Sequence, residues 1–158
     1  MDFDQLLAEV GSFKRLFELA RNNGINVERQ VELAFSAENK LFERAGFKVV
    51  RVDDGYAEMT FPLSEDVKRR GNIVHGGIIM FAMDNTGGLA VMTRNEGNDQ
   101  VTVELKANFL EPLRKSPFRA VGRVVRAGRN IAVAEVDVFD SEGKLCAKGM
   151  GTWLYIYR

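Results

Sequence analysis

The stretch "NIVHGGIIMFAMDNTGG", residues 72–88, holds the residue types best suited to chemistry. His75-Gly76-Gly77 opens an almost wholly apolar segment, and Asp84 is the one charged residue inside it. Burying a carboxylate without a partner costs several kcal/mol, so its position needs a reason. Residues 76–92 read as a buried helix, because Ile78, Ile79, Phe81, Met83, Leu89 and Val91 make it apolar on all sides. The first-turn amides of such a helix lack internal acceptors and carry the positive end of its dipole. The Gly76-Gly77 pair lets a ligand approach them closely. Gly87 and Gly88 weaken the helix by about 1 kcal/mol each relative to Ala, which points to close backbone packing.

His75 and Asp84 are nine residues apart. On a helix that is about 900° of rotation and some 13 Å, so the two cannot form a dyad within one chain. A two-fold interface would bring Asp84 to the helix start of a second copy. Oriented amides facing a carboxylate are the layout for attack on a carbonyl, with donors for the oxyanion and a base for water. From the residues alone, plainer roles stay open. Asp84 can accept hydrogen bonds from Asn85, Thr86 or a neighbouring strand. His75 can be structural, holding the helix start, and Thr102 can be a solvated or cross-strand residue.

The elements that must position these residues follow from periodicity. Leu6, Leu7, Val10, Phe13, Leu16, Phe17 and Ala20 form a helical stripe that "RNNG" at 21–24 ends. A second pattern, Val31 to Phe42, runs to Gly46. "FKVVRV" and "YAEMTFPL" flank the turn "DDG" as a hairpin, and "SEDVKRRGN" is a polar loop. After the central helix come four strands: 101–110, 117–126, 130–139 and 144–157. In the first of these, Val101, Val103, Leu105, Ala107 and Phe109 alternate with polar residues. The order gives an α+β domain, an antiparallel sheet curled round one central helix. Residues 1–46 are expected to form a helical extension packed on a domain of residues 47–158.

The whole chain narrows the function classes. Its 158 residues suit one domain, 46% hydrophobic and 28% charged. The 22 basic and 22 acidic side chains cancel, so no nucleic acid or anionic membrane is expected as a partner. One Cys and one His make a zinc site improbable, and no metal or cofactor is expected. Cys146 alone cannot form an internal disulfide, and no membrane-length apolar run or signal peptide is visible, so a cytoplasmic location is expected. The chain has no G-x-x-x-x-G-K-[ST] loop, and nucleotide hydrolysis is not indicated.

"VHGGIIMFAMDNTGG" followed by "VTVELKANFLEPL" resembles the hotdog-fold acyl-CoA thioesterases of the phenylacetate-degradation (PaaI-like) type, over roughly residues 40 to 157. The resemblance implies a curved sheet wrapped round the helix, and a homodimer or homotetramer with active sites at the dimer interface. It implies hydrolysis of an acyl- or aryl-CoA to the acid and CoA. Asp84 would activate water or attack the thioester, and the Gly76 amide of the opposite subunit would polarise the carbonyl. His75 would be the structural histidine, and Thr102 would hold the water. Asn72, Gly77, Asn85 and Phe81 are expected at the substrate. Several relatives carry Asn six residues before the His, where this chain has Arg69, with Asn72 nearby.

CoA carries phosphates, for which the turn of Arg126, Gly128, Arg129 and Asn130 is the candidate site, with Arg114 and Lys115 as further basic residues. Phe61, Phe81, Phe109 and Trp153 are either an acyl pocket or core. Two other functions fit the same fold: an acyl-thioester hydratase or dehydratase using His75, and a non-catalytic acyl-CoA binding protein.

Overall fold

A computed structural model describes residues 3–158. The N-terminal stripe forms two helices rather than one, α1 (Phe3–Val10) and α2 (Phe13–Asn22). Gly11 takes a left-handed φ of +69° between them, and Ser12 caps α2. The second pattern is likewise split into α3 (Val27–Glu38) and α4 (Lys40–Arg44). Asn39 divides them by turning its Oδ1 to the Leu41 amide at 3.0 Å, the local competition that favours Asn at caps.

β1 (Lys48–Asp53) and β2 (Tyr56–Phe61) form the expected hairpin, turning at Asp54-Gly55. The polar loop contains a two-by-two ladder that periodicity cannot reveal, β3 (Lys68–Arg69) with β4 (Ile73–Val74). Next come α5 (Gly76–Met92), β5 (Asp99–Phe109), β6 (Phe118–Ala127), β7 (Ile131–Phe139) and β8 (Leu145–Ile156). Six strands make one antiparallel sheet in the order β1-β2-β6-β7-β8-β5.

Helix α5 lies on the inner face of this sheet, against β6, β7 and β2. Glycine permits the close approach. A Cβ on Gly87 would stand 2.7 Å from Trp153 Cη2 and 2.9 Å from Val136 Cγ2. The N-terminal helices share the same core, since Leu16, Phe17 and Val31 are buried in one cluster with Phe42, Phe47, Phe61 and Phe118. Phe47 stacks on Phe42 and on Phe61, with ring centroids 5.3 and 4.7 Å apart.

The two edges of the sheet differ. At β1, Glu28 and Glu32 of α3 accept hydrogen bonds from the amides of Val52 (2.9 Å) and Val49 (3.0 Å). Those carboxylates occupy donors that an unpaired edge would offer to another strand. At the other edge, the eleven residues of β5 pair with β8 alone, and Val101, Val103 and Phe109 are exposed.

Candidate active site

The start of α5 is built by His75. Its φ of −63° and ψ of 135° are extended, and its Nδ1 accepts from the Gly77 amide at 2.9 Å. An accepting Nδ1 leaves the ring proton on Nε2. The His75 carbonyl takes the amides of Ile78 (2.9 Å) and Ile79 (3.2 Å). Three first-turn donors are therefore satisfied. The Gly76 N–H is the first-turn amide with no acceptor among the described residues. It opens on a cavity of about 300 Å³ that Arg69, Ile73, Phe109 and Pro112 also line.

Asp84 sits two turns further along α5, half-buried rather than enclosed. Its partner comes from the neighbouring strand: Thr102 Oγ1 donates to Asp84 Oδ1 at 2.6 Å. Around this pair lies a recess of about 160 Å³, lined by Asn85, Gly88, Gln100 and Trp153 among others. Gln100 holds the recess floor by donating to the Gly88 carbonyl at 2.8 Å. Asn85 lines the recess while its amide bonds back to the Phe81 carbonyl at 2.8 Å.

Gly76 and Asp84 lie eight residues apart on one straight helix, about 12 Å along its axis. Strand β5 runs beside both. Its Thr102 touches Asp84, and its Phe109 ring lies 3.7 Å from where a Gly76 Cβ would stand. One chain thus carries an unpaired helix-start amide and a carboxylate at opposite ends of the same edge strand.

The remaining sequence candidates are distributed as follows. Phe61 is 1% exposed and belongs to the core, while Phe81 is half-buried and packs edge-on against Phe47, 5.4 Å between centroids. Trp153 lines the Asp84 recess and Phe109 the cavity at Gly76. Gly77 is spent on the His75 cap. Asn72 stands at the tip of the β3–β4 turn with a φ of +58°, and Arg69, not Asn72, lines the cavity at Gly76.

Arg126 near the end of β6, and Gly128, Arg129 and Asn130 in the β6–β7 connection, are exposed. Tyr155 donates its amide to the Asn130 carbonyl at 2.7 Å. Ala132, Trp153 and Thr102 form one rung across β7, β8 and β5, so this turn shares the sheet end that holds Asp84. Lys115 is paired with Glu142 at 2.7 Å, and Arg114 donates to the Gly71 carbonyl at 3.1 Å.

The sequence does not single out Gln100, and it reads Gly88 only as a packing glycine and Trp153 only as acyl pocket or core, none of them as a neighbour of Asp84. Two of them had a signal: Gln100 is two residues from Thr102 on a strand, and Gly88 is four from Asp84 on a helix. Trp153 joins them through cross-strand pairing, which local patterns do not encode.

A family profile described as "Thioesterase superfamily" matches residues 71–147, which span Gly76, Asp84 and Thr102. The Saccharolobus solfataricus protein named "Putative esterase SSO2140" is 45% identical over 130 residues, 82% of this chain and 92% of that protein. The chain belongs to the thioesterase superfamily. Its fold is the hotdog fold of that superfamily, and its class of activity is thioester hydrolysis. The "Medium/long-chain acyl-CoA thioesterase YigI" of Escherichia coli is 30% identical over 132 residues, covering 72% of this chain and 84% of that protein. A mutant of the phenylacetic acid degradation protein PaaI from Thermus thermophilus superposes with a TM-score of 0.68 at 25% identity, over 75% of this chain and 100% of the other. No described helix is long and apolar enough to cross a membrane.

Proposed function

We propose that this thioesterase hydrolyses acyl-CoA at a site shared between two subunits, with Asp84 of one facing Gly76 of the other. The observation that carries the reading is the placement of both groups along β5. An antiparallel two-fold pairing of β5 with its copy, centred on Lys106, sets the bulge at Thr102-Val103 opposite the partner's Phe109. Because Thr102 contacts Asp84 and Phe109 contacts Gly76, that pairing brings Asp84 to the partner's Gly76. The bare β5 edge and the carboxylate-covered β1 edge support the choice of β5 as the joining strand.

In this arrangement the thioester carbonyl accepts from the partner's Gly76 N–H. Asp84 then takes a proton from water as it attacks the carbonyl carbon, or attacks that carbon itself. Either way the C–S bond breaks, the sulfur leaves as the CoA thiolate and is protonated, and water supplies the acid's second oxygen. Thr102 fixes the Asp84 carboxylate through Oδ1. The CoA phosphates are assigned to the exposed turn of Arg126, Gly128, Arg129 and Asn130, at the same end of the sheet as Asp84. His75 is assigned the role of cap, because its Nδ1 is already occupied.

Thiol release from an acyl-CoA panel by native protein and Asp84→Asn tests this. A positioned base contributes about 10² or more in rate, so the variant is expected to lose at least that factor in kcat while keeping its melting temperature within a few degrees. An Asn variant as fast as native would overturn the assignment. Cys146 is 1% exposed, so it contributes little background to the thiol reading while the protein is folded.

A further inference from the structure

A second cavity lies against the Asp84 recess. It has about 220 Å³ and is walled by the N-terminal helices, with Leu7 of α1, Phe13 and Leu16 of α2, and Val31 and Ala34 of α3 in its lining. Phe35 of α3 and Met92 in the last turn of α5 line both this cavity and the recess. The two spaces therefore share a wall of two side chains, one of them an unbranched and adaptable thioether.

The surface of α5 leads from one space to the other. Asn85, Gly88 and Met92 are spaced three and four residues apart, so they share a helix face. All three line the recess, where Gly88 leaves room for Trp153 and Gln100 to pack over the helix, a Cβ there standing 3.2 Å from Trp153 Nε1. A chain leaving a carbonyl carbon at Asp84 along this wall passes Asn85 and the Trp153 edge and then meets Phe35 and Met92.

Charge and size define what fits. Asp4, Glu38 and Asp99 stand around the cavity beneath α1 and α3. Partial burial, and then the nearby Asp4 and Asp99, push the Glu38 carboxyl above its ordinary value. Asp99 is ion-paired with Arg158 at 3.0 Å and Glu38 is shifted toward its neutral form, so the space between them suits a neutral apolar tail. An aliphatic and aromatic cavity of about 150 Å³ holds one benzene, so this one has room for about nine carbons. Asp84 and Met92 are eight residues apart, about 12 Å, and an extended chain advances about 1.2 Å per bond. About eight to ten carbons span the recess before the tail enters the cavity.

We propose that α1, α2 and α3 form the acyl-tail pocket of this thioesterase, entered past Phe35 and Met92, for neutral unbranched acyl groups of about twelve to sixteen carbons. The proposal rests on the assignment of Asp84 to the reacting carbonyl. The N-terminal extension is then the element that sets chain length, and acyl groups of four carbons end short of it.

The test is kcat/KM for butanoyl-, octanoyl-, dodecanoyl- and hexadecanoyl-CoA with native protein, Ala34→Trp and Met92→Phe. Ala34→Trp fills the cavity from α3, and Met92→Phe narrows its entrance from α5. The expected result is a native preference for dodecanoyl over butanoyl that falls at least tenfold in either variant, chiefly through KM. If Ala34→Trp does not fold, Ala34→Leu and Met92→Phe carry the comparison. An unchanged dodecanoyl-to-butanoyl ratio in folded variants would overturn the pocket while leaving the assignment of Asp84 intact. If no acyl-CoA is turned over at all, the assignment of Asp84 fails, and titration with free dodecanoate decides the cavity by itself. Binding to native protein that weakens tenfold in Ala34→Trp supports an apolar-tail pocket, and no binding to native protein overturns it.

Discussion

Thr102 Oγ1 donates a hydrogen bond to Asp84 Oδ1 at 2.6 Å, and in the proposed site Oδ2 is the oxygen that faces the water or the thioester carbon. A hydrogen bond to a charged group is worth about 1.5–3 kcal/mol, and here it fixes the orientation of the carboxylate. Thr102→Val keeps the shape and removes the donor. Its kcat should fall roughly tenfold or more with KM nearly unchanged, and Thr102→Ser should restore most of the loss, as read by steady-state kinetics. A kcat within twofold of native in the Val variant would remove Thr102 from the site. At this scale the sequence was informative about Asp84 and Gly76, because one continuous run holds both and helix geometry fixes their separation. Thr102 stood out only through resemblance to relatives. Its contact with Asp84 crosses from α5 to β5, and alternation along a strand does not reveal which residue faces a helix.

Helix α5 reaches the sheet closely enough to hold Asp84 against β5 because Gly87 has no side chain. Gly87→Ala would set a Cβ 2.7 Å from the buried Trp153 ring and 2.9 Å from Val136. Overpacking of this kind costs about 1–3 kcal/mol, partly offset by the better helix propensity of Ala, about 1 kcal/mol. A net loss of up to about 2 kcal/mol is expected, read as a lower urea midpoint at unchanged m with Trp153 fluorescence as the probe; a higher midpoint would contradict the packing.

The all-apolar surface and paired glycines of α5 are legible in its residues, and the succession of strands along the chain follows from runs and turns, whereas the β2-β6 and β8-β5 pairings within the sheet do not. The breaks at Gly11 and Asn39 are less legible, since the apolar stripe continues across both and a cap decides the outcome. The β3–β4 ladder is too short to carry a period. Phe61 and Phe81 illustrate a further limit: an aromatic residue reads alike as core or pocket until its stacking partners are known, and here Phe47 lies against both.

Across the whole molecule, one sheet edge is closed by Glu28 and Glu32 and the other is open with Val101, Val103 and Phe109 exposed. The proposed assembly joins the open edges, and each subunit then supplies half of two sites. The sequence suggested that Asp84 and a helix start could meet only across a second copy, as the proposed assembly has it, but not which edge would join. That depends on α3 lying over β1, a long-range contact.

The central claim is that each site takes Asp84 from one subunit and the Gly76 N–H from the other. Gly76→Pro removes that N–H at a position where the helix tolerates proline, because it is the first helical residue and His75 before it is already extended. The measurement is the specific activity of a purified heterodimer of Asp84→Asn and Gly76→Pro subunits, each inactive as a homodimer. One of its two sites combines the intact Asp84 of one subunit with the intact Gly76 of the other, so about half of the native activity should return. A heterodimer no more active than its parents would contradict the shared site.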